Sequence, residues 1–207
     1  MSYQLFHHIA GKILPGSIWN IPETADEVFL TFDDGPEPLI TNWVLDLLEQ
    51  NQAKGTFFCL GKNAEKHPEL MEKIRQAGHG IGNHSYSHLN GWKTASDEYL
   101  KDVIRGSEFI SSKLFRPPYG RVKPDQAKKL NQQGFKLIMW SILAKDYDQS
   151  LSVHQMIKNV ESRLKPGAII VFHDSLKASS NLRALLPPVL KAIKEKSLVC
   201  SVLPEST

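Results

Sequence analysis

Thr31-Phe32-Asp33-Asp34-Gly35-Pro36 is the reference point from which this 207-residue chain can be interpreted. The stretch continues an apolar, β-prone run, Val28-Phe29-Leu30, and ends at a Gly-Pro pair that interrupts regular secondary structure. Its two carboxylates therefore lie where a buried strand runs out into a loop. Adjacent acids repel each other and are costly to desolvate, so this position indicates a site that holds a metal, a proton or an arginine. The alternative is an ordinary Asp-Gly turn with one solvated acid.

The composition is that of a single globular domain, with 41% hydrophobic and 23% charged residues. The net charge of +3 is spread among acids, and no basic run indicates a nucleic-acid partner. Cys59 and Cys200 follow no metal or redox spacing. Residues 1–19 have no basic start followed by a long apolar core, so we expect no secretory signal and no membrane span, which favours a cytoplasmic location. The sequence carries no evidence on oligomeric state.

One unit repeats along the chain: a short apolar run, a loop and an amphipathic helix. Seven predicted strands alternate with six predicted helices, which is typical of an α/β protein with a parallel sheet. An open doubly wound sheet and a barrel both remain, but no glycine-rich phosphate fingerprint follows the first strand, which counts against a nucleotide-binding open sheet. We predict a compact, slightly incomplete barrel over residues 26–207, after an N-terminal extension of residues 1–25 without assigned function. The predicted strands span 27–32, 55–59, 80–83, 114–116, 135–140, 168–172 and 198–202.

Polar residues with useful chemistry follow five of the seven predicted strands. The carboxyl ends of the strands of a parallel α/β barrel meet at one face, where active sites are built. We therefore expect these groups to lie together. They are Asp33 and Asp34, the 83–88 segment with His84 and His88, the 116–120 segment with Arg116, the 145–148 segment with Asp146, and His173 with the two residues after it.

His84 and His88 are four residues apart, and on one helical turn that spacing places both imidazoles on one side, able to share a metal. Such a pair alone is a weak signal, since solvated surface histidines are common. With Asp34 added, two histidines and one aspartate suit Zn²⁺, and also Fe, Co or Ni. The same set serves Fe(II) oxygenases, so the ligands alone do not identify the reaction.

The remaining groups suit acid–base chemistry. Asp33, beside a predicted ligand, could act as a general base, and His173 could act as the complementary general acid. Arg116 could keep an Asp ionised and oriented, and Asp146 could orient His173. Taken singly, a structural salt bridge for Arg116 and a loop role for Asp146 are equally good explanations.

Four motifs in this order resemble one family. Thr31–Pro36, the His84-Ser85-Tyr86-Ser87-His88 segment, Arg116-Pro117-Pro118-Tyr119 and Val171-Phe172-His173 together are similar to the polysaccharide deacetylases with NodB homology, carbohydrate esterase family 4. The resemblance covers nearly the whole chain, from residue 28 to residue 202. It implies a distorted (β/α)₇ TIM-like barrel that hydrolyses the N-acetyl group of N-acetylglucosamine units with one divalent metal, usually Zn²⁺, with Co²⁺, Ni²⁺ or Fe²⁺ as alternatives.

The resemblance also implies residue roles. It makes Asp33 the base, His173 the acid and Arg116 the partner of the base, and it makes Asp34, His84 and His88 the metal ligands. The backbone N–H of Tyr119 would help to hold the oxyanion. One motif departs from the family pattern Asp-x-x-Asp-Trp, and this puts substrate details in doubt more than the chemistry. Leu143 stands at the first Asp position and Tyr147 at the Trp position, whereas the second Asp is retained as Asp146.

The predicted partner is an acetylated oligo- or polysaccharide, and the motifs do not say whether it is peptidoglycan, a chitin-like oligomer or an exported polymer. Substrates of the family often lie outside the cytoplasm, so the location stays open. Three other functions remain: a barrel metallohydrolase of a non-sugar amide, a non-catalytic carbohydrate-binding relative, and a Mg²⁺-dependent phosphoryl-transfer protein. The His pair and the missing phosphate loop count against the last.

Overall fold

The computed structural model describes residue 14 and residues 16–22 and 24–205, so most of the predicted N-terminal extension lies outside the described residues. The described part contains eight strands, β1 Glu27–Asp33, β2 Gly55–Cys59, β3 Gly80–Asn83, β4 Leu114–Phe115, β5 Lys136–Leu137, β6 Ile142–Leu143, β7 Ile169–His173 and β8 Val199–Cys200. They form one curled, parallel sheet in the order β5-β4-β3-β2-β1-β7-β6, with β8 paired to the start of β1.

Strand β1 lies at the centre of this sheet, and its register positions the site. Side chains alternate along a strand, so Phe29, Thr31 and Asp33 share one face, opposite to that of Leu30 and Phe32. All five are buried, as expected for a central strand covered on both faces. Parallel pairing sets Asp33 level with His173 of β7. The base and the acid that the sequence predicts therefore leave adjacent strands at the same height.

Seven α-helices cover the sheet in the described part of the chain. The helices are α1 Pro38–Gln50, α2 Gly61–Lys66, α3 Pro68–Gln76, α4 Ser96–Gly106, α5 Pro124–Gln132, α6 Val153–Glu161 and α7 Ser179–Glu195. The sequence Ser152-Val153-His154-Gln155 predicts a capping box at the start of α6, and in the structure Ser152 and Gln155 each bond the other's backbone. The sequence also predicts Ser96 as the N-cap of α4, but Ala95 holds that position and the Ser96 hydroxyl donates to Asp125. No described helix is long and apolar enough to cross a lipid bilayer.

The prediction of a TIM-like α/β barrel is confirmed, but the count of seven strands is wrong. The fifth predicted strand, residues 135–140, stops at Leu137 in β5, and the chain re-enters the sheet as β6, which pairs with β7. At this interruption Ile18, from a distant part of the chain, pairs with the backbone in the way that a strand would. Its N–H donates to the Leu137 carbonyl, and its carbonyl accepts from the Met139 N–H.

The N-terminal segment lies at the open seam of the barrel. No hydrogen-bonded ladder joins β5 to β6 among the described residues. Ile18 forms a bridge with Ile138 on one side, and Asn20 forms a bridge with Ala168 on the other. The Gly167 carbonyl accepts from the Ile21 N–H. The described part of the predicted extension is therefore bonded to the barrel and links both margins of its seam.

Candidate active site

The carboxyl ends of the strands open into one cleft with a volume of about 650 Å³. Six of the eight predicted site residues line it, namely Asp33, Asp34, His84, His88, Tyr119 and His173. The other two, Arg116 and Asp146, are fully buried and each hydrogen-bonds a residue that lines the cleft. The structure therefore brings all eight together, as a site at the carboxyl ends of parallel strands requires.

Asp34, His84 and His88 form the one group of His, Cys, Asp and Glu side chains in the described chain that could share a metal ion. One ligand atom from each lies within 4.8 Å of the others. The Nε2 atoms of His84 and His88 are 3.7 Å and 3.2 Å from Oδ1 of Asp34. Two imidazoles and one carboxylate facing one point leave open positions for water and substrate.

The prediction that the two histidines share a helical turn is wrong. Residues 84–90 form a loop, in which Ser85 and His88 both have φ near 65°. The Asp102 carboxylate of α4 holds this loop by accepting the N–H groups of Tyr86 and Ser87. The histidines therefore converge through two left-handed residues and a buttress from another helix, and the spacing of four is incidental.

The charge states of Asp34 and His84, and the unpaired Oδ1 atom of Asp34, fit a divalent cation. Oδ1 of Asp34 is buried and accepts no hydrogen bond from any described residue, although both imidazoles face it. Burial lowers the pKa of His84 to about 4, and the nearby carboxylates only partly oppose this effect. Burial acts to raise the pKa of Asp34, but His88 and the neighbouring imidazoles outweigh it and lower that pKa overall. A neutral imidazole and an ionised carboxylate are the forms that bind metals.

Arg116 connects the metal-ligand group to the predicted base. Its guanidinium, fully buried over the ring of Phe58, donates to Oδ1 of Asp33 at 2.7 Å. Its backbone carbonyl accepts from Nδ1 of His84 at 2.8 Å, which leaves Nε2 of that ring directed at Asp34. One residue therefore orients both halves of the site, and the second contact fixes the tautomer that a metal ligand needs.

His173, at the end of β7, and Asp146, in the loop after β6, form a second hydrogen-bonded pair at the cleft. Oδ1 of Asp146 accepts from Nδ1 of His173 at 2.8 Å, and Oδ2 accepts from the His173 backbone N–H at 2.7 Å. Burial acts to lower the pKa of His173, but the Asp146 charge and hydrogen bond outweigh it and raise the pKa to about 9. The imidazole is therefore protonated at neutral pH, and since Asp146 engages Nδ1, Nε2 is the ring nitrogen left for the cleft.

The sequence interpretation assigned no role to Asp174, which supports the turn that carries Asp34. This carboxylate is fully buried, accepts from the Gly35 N–H at 3.1 Å and accepts from the Thr41 hydroxyl at 2.5 Å. Burial raises the pKa of Asp174 to about 8, although the Thr41 hydrogen bond opposes it. A side chain at Gly35 would collide with this carboxylate, which explains the glycine. The only sequence signal was an acid beside His173.

The residues that depart from the family motif line the cleft. Leu143 and Tyr147 are both in its wall, and the Tyr147 ring meets the His173 ring edge to face at a centroid distance of 5.0 Å. Trp140 also forms part of the wall. Tyr86 follows the third predicted strand, a position from which it could stack on a sugar ring, but its ring packs beneath Arg105 and its hydroxyl donates to Glu65. In the cleft wall, therefore, the apolar Leu143 stands where the family motif has its first acid.

Comparison with known proteins identifies the family. A family model described as polysaccharide deacetylase matches residues 20–138, more than half of the chain. The chain belongs to the polysaccharide deacetylase family. The family predicted from the four motifs is thereby confirmed, and so is the class of enzyme, since curated members similar to this chain are deacetylases, which are hydrolases of N-acetyl amide bonds.

Three relatives show the range of this similarity. A peptidoglycan-N-acetylglucosamine deacetylase of Bacillus cereus is 39% identical over 160 residues, which cover 74% of this chain and 58% of that protein. The chain therefore aligns with little more than half of that relative. A second B. cereus protein of the same name is 31% identical and covers 86% of each chain. A chitooligosaccharide deacetylase of Azorhizobium caulinodans is 29% identical, with 77% of this chain and 79% of that one covered.

Solved structures confirm that the fold extends over nearly the whole chain. The Bc1960 peptidoglycan N-acetylglucosamine deacetylase superposes with a TM-score of 0.85 at 34% identity, covering 91% of each chain. A family 4 carbohydrate esterase from Streptomyces lividans, solved in complex with acetate, superposes with a TM-score of 0.79 at 28% identity, covering 88% of this chain and 95% of that one.

Proposed function

We propose that this polysaccharide deacetylase hydrolyses the N-acetyl group of N-acetylglucosamine units in an oligo- or polysaccharide, with one divalent metal ion. Zn²⁺ is the first candidate, and Co²⁺, Ni²⁺ and Fe²⁺ suit the same ligands. The names of the relatives support the substrate class. The observation that carries the proposal is the arrangement of three groups around one cleft, namely the Asp34–His84–His88 set, the Asp33–Arg116 pair and the His173–Asp146 pair.

A divalent ion held by Asp34, His84 and His88 would polarise the acetyl carbonyl and make water a better nucleophile. Asp33 is the base that takes a proton from the attacking water. Its Oδ1 is engaged by Arg116, and it accepts no other side-chain hydrogen bond from the described residues, so Oδ2 is the oxygen left for the proton. The buried guanidinium keeps the carboxylate oriented.

Tyr119 and His173 complete the reaction. Tyr119 adopts a left-handed conformation at the edge of the cleft, with φ 60°, and its backbone N–H is the proposed donor to the oxyanion of the tetrahedral intermediate. His173, protonated at neutral pH, donates its Nε2 proton to the amide nitrogen as the C–N bond breaks. The products are acetate and a free glucosamine nitrogen.

The test is acetate release from a panel of substrates, with the metal content of the same sample measured by elemental analysis. The panel contains chitotetraose, a peptidoglycan-derived tetrasaccharide and simple non-sugar N-acetyl amides. We expect acetate only from the saccharides, and only with a stoichiometric divalent ion. Acetate from the simple amides alone would replace this function with a non-sugar amidase, and saccharide binding without acetate would identify a non-catalytic relative.

A further inference from the structure

Three cationic side chains line the cleft beyond the reacting groups. Lys62 comes from helix α2 after β2, Arg121 from the loop after β4, and Lys177 from the loop after β7. In the sheet order β4 and β7 lie on opposite sides of β2 and β1, so the three cations approach the cleft from different sides. We call Lys62, Arg121 and Lys177 the basic rim.

Acidic groups do not neutralise this basic rim. No carboxylate oxygen among the described residues lies within 4.0 Å of its cationic nitrogens. The two acids that line the cleft are both engaged: Asp33 is bound to Arg116, and Asp34 faces the two histidines. Asp148 is near enough to interact electrostatically with Lys177, but its carboxylate is hydrogen-bonded to the side chain and backbone of Ser150.

Aromatic rings hold two of these cations beside the cleft. The Arg121 guanidinium lies 5.2 Å from the ring centroid of Trp92, and the Lys177 ammonium lies 5.8 Å from that of Tyr147. These distances are within the range of cation–π attraction, which restrains a long side chain without cancelling its charge. Trp92 is 61% exposed, and its side-chain position is fixed in part by a hydrogen bond from Nε1 to the Val122 carbonyl. The positive charge is therefore kept at the cleft and faces solvent.

From this arrangement we infer that the cleft selects an acetylated saccharide that carries a carboxylate on a sugar next to the reacting unit over a neutral saccharide of the same length. The inference rests on the proposed function, because the reacting acetyl group must lie between Asp33 and His173 at the centre. Neighbouring sugars then extend toward the basic rim. Like charges around one cleft raise the local concentration and the association rate of an anionic ligand, and salt screens this effect because the three side chains are exposed.

The experiment compares two forms of one substrate. A tetrasaccharide of alternating N-acetylglucosamine and N-acetylmuramic acid carries lactyl carboxylates, and conversion of these to methylamides removes the charge while preserving the sugar chain. We expect kcat/KM for acetate release to be about tenfold or more higher for the carboxylate form at low ionic strength. The ratio should approach one in about 0.5 M salt, where screening acts over a few ångströms.

Two variants carry the same change in net charge. In the rim variant, Lys62→Gln, Arg121→Gln and Lys177→Gln are combined, and we expect the ratio between the two substrates to collapse to within about twofold. In the control variant, Lys128→Gln, Arg163→Gln and Lys194→Gln remove the same types of charge from exposed positions that do not line the cleft. The control should keep the full ratio.

Direct binding separates this inference from the proposed function. Isothermal titration of both tetrasaccharides into metal-free protein measures the charge preference without turnover. Preferential binding of the carboxylate form that the rim variant loses supports the inference even if no acetate is released, which would refute the proposed function alone. Equal binding and equal turnover of the two forms would overturn the inference, and acetate release from both would leave the function intact.

Discussion

Replacement of Asp146 by Asn should change the protonation of His173 by a measurable amount. Asp146 is fully buried, and its two oxygens accept the Nδ1–H and the backbone N–H of His173. Burial acts to lower the pKa of His173, and the charge and hydrogen bond of Asp146, followed by the charges of Asp33 and Asp34, raise it to about 9. Asparagine keeps the shape but removes the charge and one acceptor. We therefore expect the pKa of His173 to fall below the ordinary value of about 6.5.

The expected loss of activity follows from these two pKa values of His173, about 9 and about 6.5. At pH 8 a group with a pKa of about 9 is roughly nine-tenths protonated, whereas a group at about 6.5 is roughly 3% protonated. If protonated His173 is the general acid, kcat/KM at pH 8 should fall about thirtyfold or more. The raised pKa of His173 also makes the stability of the folded protein depend on pH. Because the folded pKa is raised, the stabilisation from His173 is complete below about pH 6.5 and is lost as the pH rises through about 9.

Two measurements check this prediction. An NMR titration of the His173 ring in metal-free protein reports its pKa directly, and the pH profile of acetate release reports the alkaline limit of activity in the metal-loaded enzyme. Asp148→Asn is the matched control, since Asp148 bonds Ser150 and not His173. An Asp146→Asn protein whose His173 still titrates near pH 9 would refute the assignment of Asp146 as the cause of the shift.

Four further predictions concern other parts of the site and fold. Asp33→Asn should keep its metal by elemental analysis but lose about 10²-fold or more in kcat, and an active variant would exclude the base role. His84→Ala should lower metal content, and unchanged content would remove it from the ligand set. Arg116→Met leaves the buried Asp33 carboxylate unpaired, so the free energy of unfolding in urea should fall by about 3–5 kcal/mol. The double variant Arg116→Met with Asp33→Asn should recover part of this loss. An equal loss in the single and the double variant would argue against coupling of the two side chains. His79 accepts a hydrogen bond from the Gly55 N–H, and burial and Lys54 lower its pKa to about 4. Its own contribution to the free energy of unfolding should therefore fall by about 2 kcal/mol from pH 8 to pH 5. The difference in stability between the parent protein and His79→Gln should change by that amount between the two pH values, and a difference that does not depend on pH would contradict the prediction.

Local patterns were sufficient for much of the fold. The limits predicted for β2 and β3 agree with the structure, and the capping box of α6 was identified from two residues. These features depend on residues close in sequence, such as apolar runs, a Gly-Pro break or a serine three residues before a glutamine. The family motifs also led to eight residues that the structure places around one cleft, although their chemical roles remain predictions.

The features missed or mispredicted from the sequence all depend on contacts between distant segments. The convergence of His84 and His88 depends on left-handed residues and on Asp102, not on a helical repeat. The split after β5 depends on a segment about 120 residues earlier in the chain. Such pairings leave no periodic signal, because each partner has an ordinary local sequence.

The Asp33–Asp34 pair shows most clearly what the local sequence predicts and what the tertiary structure decides. Two acids at the end of an apolar strand, followed by Gly-Pro, already indicated a site at this point of the chain. Their separation into unlike roles depends on tertiary partners, since Arg116 pairs with Asp33 from 83 residues away while two imidazoles face Asp34. Only the folded sheet sets these groups at one level and excludes water from the buried pair. Burial and proximity between distant strands decide the charge and direction of each carboxylate, and neither can be obtained from neighbours in sequence.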